Sequence, residues 1–278
     1  MSGKPEEKER KEKVKLDPTH RGNVEAPAPS AVAPTSIRKF SCLQNFHLGP
    51  LMSSAVVEFI GTFLLVLTVP LSSISNSELA PISIGFMLMS LIFSFGYLSG
   101  GHINPAVTIS VWLCTARGEG YATFNKRRLV LYVVAQMLGG TLAGLYCMML
   151  HGREFPVPSM GLSFAQMVRG FLAESVFTFL LCSVVLHVAI SRQRNNNFYG
   201  FAISFAVLCG GLTCGSISGA AFNPAVATPL ILVRCFFSFS KDSCTPMASL
   251  WVYLLSEVLG AVLASIMYLA LQNVEELY

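Results

Sequence analysis

Two nine-residue stretches place a side-chain amide, able both to donate and to accept hydrogen bonds, inside apolar sequence: Ser99-Gly-Gly-His-Ile-Asn-Pro-Ala-Val107 and Ser218-Gly-Ala-Ala-Phe-Asn-Pro-Ala-Val226. They share Ser, Gly, Asn, Pro, Ala and Val at six of nine places, so one is a copy of the other. Asn is a favoured helix N-cap, because its side-chain oxygen takes an orphan backbone N–H, and Pro fits the first helical position because it has no N–H to orphan. The apolar runs that follow, Val107 to Cys114 and Val226 to Val233, predict helices of about 10 residues, or about 15 Å at 1.5 Å per residue. A bilayer core is about 30 Å thick, so each helix crosses half of it. Irregular backbone at that depth must be buried in protein or line a water-filled cavity. Two such half-helices predict a pore or binding site at the midplane.

The surrounding chain has a membrane composition. Of 278 residues, 53% are hydrophobic and 12% charged, against about 25% charged in soluble domains. Residues 1–40 hold nine of the nineteen Lys and Arg and six of the fifteen acids. Their mixed Lys/Glu run followed by Pro and Ala reads as a disordered cytoplasmic tail over 1–45, with a channel domain over 46–273 and a short cytoplasmic terminus over 274–278.

Six stretches are long enough to span, near Ser54–Ile74, Leu79–Leu98, Leu129–Leu150, Met167–Ser191, Tyr199–Thr213 and Ser249–Leu271. The fifth is expected to stop where Gly210-Gly211 interrupts the pattern. Basic residues gather in the tail (Arg38, Lys39), the second connection (Arg117, Lys126, Arg127, Arg128) and the fourth (Arg192, Arg194). Both termini are therefore expected in the cytoplasm.

Landmarks outside the motifs repeat as well. Glu58-Phe-Ile-Gly-Thr-Phe returns as Glu174-Ser-Val-Phe-Thr-Phe, and Gln136-Met-Leu-Gly-Gly as Glu257-Val-Leu-Gly-Ala, at offsets of 116 and 121, beside 119 for Asn104 and Asn223. Residues of about 50–150 and 167–273 are thus duplicated halves. Three spans in each half force opposite insertion, which puts the site at their interface.

With the paired Asn-Pro-Ala motifs and a Glu in the first span of each half, the chain from Ser53 to Leu271 resembles an aquaporin, a member of the major intrinsic protein family. The resemblance implies an all-α membrane fold, a right-handed bundle of six transmembrane helices plus two re-entrant half-helices. It also implies a homotetramer with one pore per protomer, in contact with membrane lipid, and no cofactor. Asn104, Pro105, Ala106, Asn223, Pro224 and Ala225 would form the pore centre. There the positive helix ends and side-chain amides would hold a passing oxygen and repel cations and protons. Glu58 and Glu174 would accept hydrogen bonds from the half-helix connections or, alternatively, relay protons. His102 would give the pore a polar edge or be satisfied by neighbouring backbone.

The family's outer constriction falls by spacing on Ile84, Gly211, Ala220 and Val226. Water-selective members usually place an aromatic, a His, a small residue and an Arg there. This chain departs at the first, second and fourth places, which predicts a wider, apolar constriction. Val226 is similar to the second motif of plant tonoplast intrinsic proteins, whereas Ala227 is unlike the glycerol facilitators. The expected function is a passive channel for water and other small neutral solutes, with ammonia, urea, hydrogen peroxide and glycerol as candidates.

The rival reading is a proton-coupled secondary transporter, which also uses inverted repeats and broken helices. An intramembrane enzyme is disfavoured, because the Asp residues, Asp17 and Asp242, lie outside the spans. Neither metal-ligand spacing nor a nucleic-acid motif is present. Which membrane holds the chain, vacuole-like or plasma, is open at this point. Cys235 and Cys244 flank a short outer connection and are left as either bonded or free.

Overall fold

Apolar runs of about 20 residues must satisfy their backbone internally once water is gone, so helices are the expected answer. The computed structural model describes residues 48–115, 124–191, 196–238 and 241–271. Six of its helices are long and apolar enough to cross a membrane. They are α1 (Pro50–Ser75), α2 (Ala80–Ser99), α4 (Lys126–His151), α5 (Phe164–Val185, continued by a π-turn over Leu186–Ile190), α6 (Tyr199–Ser218) and α8 (Leu250–Leu271). Two short helices lie between them, α3 (Pro105–Thr115) and α7 (Pro224–Phe237), and a 3₁₀ turn over Lys241–Ser249 leads into α8. The tail, the last seven residues, Arg117, Arg192 and Arg194 lie outside the described residues.

Boundaries follow local chemistry. α4 starts three residues before the first apolar position, because Asn125 accepts from Arg128 N and lets Lys126 to Arg128 form the first turn. α5 starts at a capping box, in which Ser163 and Gln166 serve each other's backbone. The expected end of α6 at Thr213 needs correction: the helix runs through Gly210-Gly211 to Ser218. Those glycines are there for close approach. A Cβ at Gly210 would lie 2.6 Å from the Phe222 ring, and one at Gly211 would lie 2.8 Å from Pro81 Cβ.

The inverted repeat is visible in the packing. α1 rests on α4 and α2, as α5 rests on α8 and α6, while α2 meets α6 across the halves. Each half-helix docks on the third span of the opposite half, α7 against α4 and α3 against α8. The α7–α4 contact runs backbone to backbone: a Cβ at Gly140 of α4 would sit 2.3 Å from Ala225 O of α7. Within the second half, α8 approaches α5 as closely, a Cβ at Gly260 lying 2.6 Å from Ser175 O. One apolar cluster surrounds α3 and includes Leu91, Val107 and Leu181; the other surrounds α7 and includes Phe155, Leu230 and Tyr253.

The disulfide that the sequence left open is formed: Cys235 at the end of α7 is bonded to Cys244 in the 3₁₀ turn. Around it, Glu154 accepts from the Ser238 and Ser243 hydroxyls and pairs with Arg234 at 3.7 Å. This cluster ties the connection before α5 to the end of α7.

Candidate functional site

α2 and α6 both end on a left-handed glycine, Gly100 at φ 97° and Gly219 at φ 83°. The turns that follow repeat one another residue by residue. Gly101, Ile103, Ala220 and Phe222 all have positive φ, at 62°, 51°, 51° and 47°. Ile, Ala and Phe rarely adopt that conformation, so surrounding bonds must hold them there.

In the first half those bonds converge on Glu58, which is fully buried. Its Oε1 accepts from Ser99 Oγ at 2.6 Å and His102 N at 2.9 Å; its Oε2 accepts from Ile103 N at 2.6 Å and Gln136 Nε2 at 2.8 Å. In the second half, Glu174 Oε1 accepts from Ser218 Oγ at 2.5 Å and Ala221 N at 3.1 Å, and its Oε2 from Phe222 N at 2.8 Å. Tyr132 donates to Ser99 O at 2.7 Å, and Tyr253 donates likewise to Ser218 O. Each carboxylate also lies near the start of a half-helix, where the backbone N–H groups concentrate positive charge.

The turns deliver two asparagines to one place. Asn104 Oδ1 accepts from Ala106 N at 2.8 Å and Asn223 Oδ1 from Ala225 N at 2.9 Å, so each caps its own half-helix. Their amide nitrogens cross over: Asn104 Nδ2 donates to Phe222 O at 2.8 Å, and Asn223 Nδ2 donates to Ile103 O at 2.9 Å. An amide nitrogen carries two hydrogens. One from each fixes the pair, and the second is left for the cavity that both residues line.

That cavity, of about 600 Å³, is lined by Asn104 and Asn223 together with Ile84, Gly211, Ala220 and Val226. All four residues expected at the outer constriction therefore face one space. Its far end reaches Glu78 and the stretch Pro156 to Ser159, on the side of the bundle where α7 ends. Pro81, which spacing did not suggest, packs into the room that Gly211 leaves and lines the same wall. Pro105, Pro224, Ala106 and Ala225 are buried behind the asparagines as the first turns of the two half-helices.

His102 is 7% exposed and also lines the cavity. Its Nδ1 lies 3.2 Å from Thr108 Oγ1, and its ring packs on Phe124 and Tyr132. Thr108 Oγ1 donates to Asn104 O and already accepts from Gln136 Nε2. Its second lone pair is then what meets the imidazole, which puts the proton on Nδ1. Tyr132 and Tyr253 went unnoticed in the sequence, although the offset of 121 that links Gln136 to Glu257 links them too.

The sequence profile described as major intrinsic protein matches residues 44–268. The chain belongs to that family. It is 30% identical over 251 residues to Aquaporin NIP1-1 of Arabidopsis thaliana, covering 84% of this chain and 78% of the relative. It is 29% identical over 255 residues to Aquaporin AqpM of Methanothermobacter marburgensis, covering 78% and 96%. The X-ray structure of the aquaglyceroporin from Plasmodium falciparum superposes with a TM-score of 0.66 at 21% identity, over 78% of this chain and 95% of that one, which shows the shared fold. These relatives do not bear on the tonoplast-type likeness of the second motif. The protein is a multi-pass membrane protein and a passive channel for water and small solutes, not an enzyme. Among the described residues no group of three or more His, Cys, Asp or Glu could hold a metal ion.

Proposed function

We propose that this aquaporin conducts water together with other small neutral solutes, of which ammonia, urea, hydrogen peroxide and glycerol are the candidates. The observation that carries the reading is the wall of the cavity. Ile84, Gly211, Ala220 and Val226 bring no charge and no side-chain donor to the stretch outside Asn104 and Asn223. Ser73, Ser77, Glu78, Ser159 and Ser216 also line the cavity, but a solute between the four constriction residues exchanges water contacts for apolar side chains and backbone, so the discrimination against C–H-bearing molecules that a polar ring supplies is missing there. At the centre, the free N–H of each asparagine meets an oxygen while the two helix ends repel cations and protons. Pro105, Ala106, Pro224 and Ala225 hold that centre in place, and Glu58, Glu174 and His102 brace the turns that lead to it.

The basic first turn of α4 supports cytoplasmic termini, and the family resemblance supports a homotetramer in lipid. A passive pore also accounts for the site better than a proton-coupled transporter, because the breaks in the helices lie in connections and leave the six spans whole.

Swelling of proteoliposomes with a solute panel tests this proposal, alongside Val226→Arg. The wild type is expected to pass water and at least one larger neutral solute with a flux linear in concentration. Val226→Arg is expected to cut the larger solutes by about tenfold and water by about threefold or less. A wild type that excludes every solute but water, or a variant that lowers all fluxes equally, overturns the assignment. Saturable, gradient-driven uptake would favour the transporter.

A further inference from the structure

The two halves solve the same bracing problem with different chemistry at one position. In the first half, Gln136 spends one N–H on Glu58 Oε2 and the other on Thr108 Oγ1. The repeat places Glu257 where Gln136 stands, and Ala227 where Thr108 stands. Glu257 and Glu174 are both fully buried. Glu257 Oε1 accepts from Asn223 N at 3.0 Å, the peptide next to the Phe222 N that Glu174 Oε2 holds. Glu257 Oε2 has no partner at all.

Among the described residues no side chain supplies a countercharge, and the start of α7 offers only the partial positive charge of its backbone N–H groups. On α5 the titratable neighbours are Glu174 and Cys182, on α8 Tyr253, and Cys114 on α3 and Cys214 on α6 stand beside Cys182 and Glu174. Among the described residues no Lys, Arg or His side chain bonds to either carboxylate. Two bare carboxylates so placed would repel each other in an interior that screens charge poorly, and each would also have lost its hydration. Gln136 offers the template for the donation: both bonds it makes are given from Nε2, while its Oε1 has no partner. A carboxylic acid supplies such a donation with a single proton while its other oxygen accepts, as Glu257 Oε1 does from Asn223 N, and because residue 227 is Ala, no second donor is called for.

We propose that Glu257 is held as the neutral acid, that its Oε2–H gives Glu174 the bond which Gln136 Nε2 gives Glu58, and that it thereby positions Asn223. It is a positioning residue, acting through Asn223 N, and the inference rests on reading Asn223 as the pore centre. The proton stays on the pair during conduction and no solute takes it.

Infrared spectra of the purified full-length protein in lipid test the proton directly and do not depend on conduction. The wild type is expected to show the carbonyl band of a buried protonated carboxyl, and Glu257→Gln is expected to lose it while Glu174→Gln keeps it. Absence of the band in the wild type, or its survival in Glu257→Gln, overturns the proposal. Permeability supplies the second readout. Under alkaline conditions that remove the carboxyl band from the wild-type spectrum, wild-type water flux is expected to fall by about tenfold, and that of Glu257→Gln by less than about twofold. Equal alkaline loss in both proteins overturns the positioning role. If the spectra behave as expected but neither protein conducts, the pore reading fails and the acid assignment stands.

Discussion

Asn104 and Asn223 are each hydrogen-bonded to the backbone of the other's turn, Asn104 to Phe222 O at 2.8 Å and Asn223 to Ile103 O at 2.9 Å. Each residue thus caps its own helix, locks the opposite turn and still has one N–H to offer.

Replacing either asparagine removes a cap and orphans a buried carbonyl. Asn223→Ala is expected to cost about 2–3 kcal/mol. Asn104→Ala should cost about the same. The double variant should lose less than the sum, because the two crossed bonds brace the same pair of turns. Thermal unfolding in detergent, read as a double-mutant cycle, measures the coupling; strict additivity would contradict the locked arrangement.

Backbone contact between helices sets a second test. Gly140→Ala would push a methyl to 2.3 Å from Ala225 O, so about 3 kcal/mol or more of destabilisation is expected, with loss of the folded peak in size-exclusion chromatography. Gly215→Ala meets nothing within 4 Å. It should gain about 0.5–1 kcal/mol from helix propensity. Similar melting temperatures for the two would contradict the contact.

The disulfide closes a short loop of sequence separation 9. On chain entropy it is worth about 2–3 kcal/mol. Cys235→Ser paired with Cys244→Ser, or incubation with a reductant, should lower the melting temperature and expose the connection around Glu154 to protease. Unchanged proteolysis would show that the Glu154 cluster holds without it.

Glu154 gives a pH signature. The Ser238 hydroxyl first, then that of Ser243, and also Arg234 hold its carboxyl below the usual value of 4.5. A depressed folded value means that the ionised form is the one the fold favours. Its contribution is complete above the usual value and is lost as pH falls through the lower one. Melting temperature should therefore decline below about pH 4.5 less steeply in Glu154→Gln than in the wild type; parallel curves would remove Glu154 from the account.

Much of this architecture is readable in the chain because membrane physics leaves few options. Runs of about 20 apolar residues have to be helices, and the Asn-Pro step has to begin one. The repeat offsets add the inverted pairing, and counting from Asn104 and Asn223 reached four residues that share a cavity. The reading slipped where one residue type serves two purposes. Gly210-Gly211 looked like an interruption, yet there the absent side chains admit Phe222 and Pro81, a fact held by other segments of the chain. Pro81 and Glu154 were invisible for the same reason: their partners lie far along the sequence and follow no period. Whether Cys235 and Cys244 join depended on how α7 turns into the 3₁₀ segment, which spacing alone leaves free.

Because Ile103 and Phe222 lend their carbonyls across the molecule, a ribosome that has made only the first half has built a turn whose donor does not yet exist. Completing the chain is what completes the turn. A product truncated after the first half would leave the Ile103 carbonyl without its donor, a polar orphan where apolar surroundings offer no substitute.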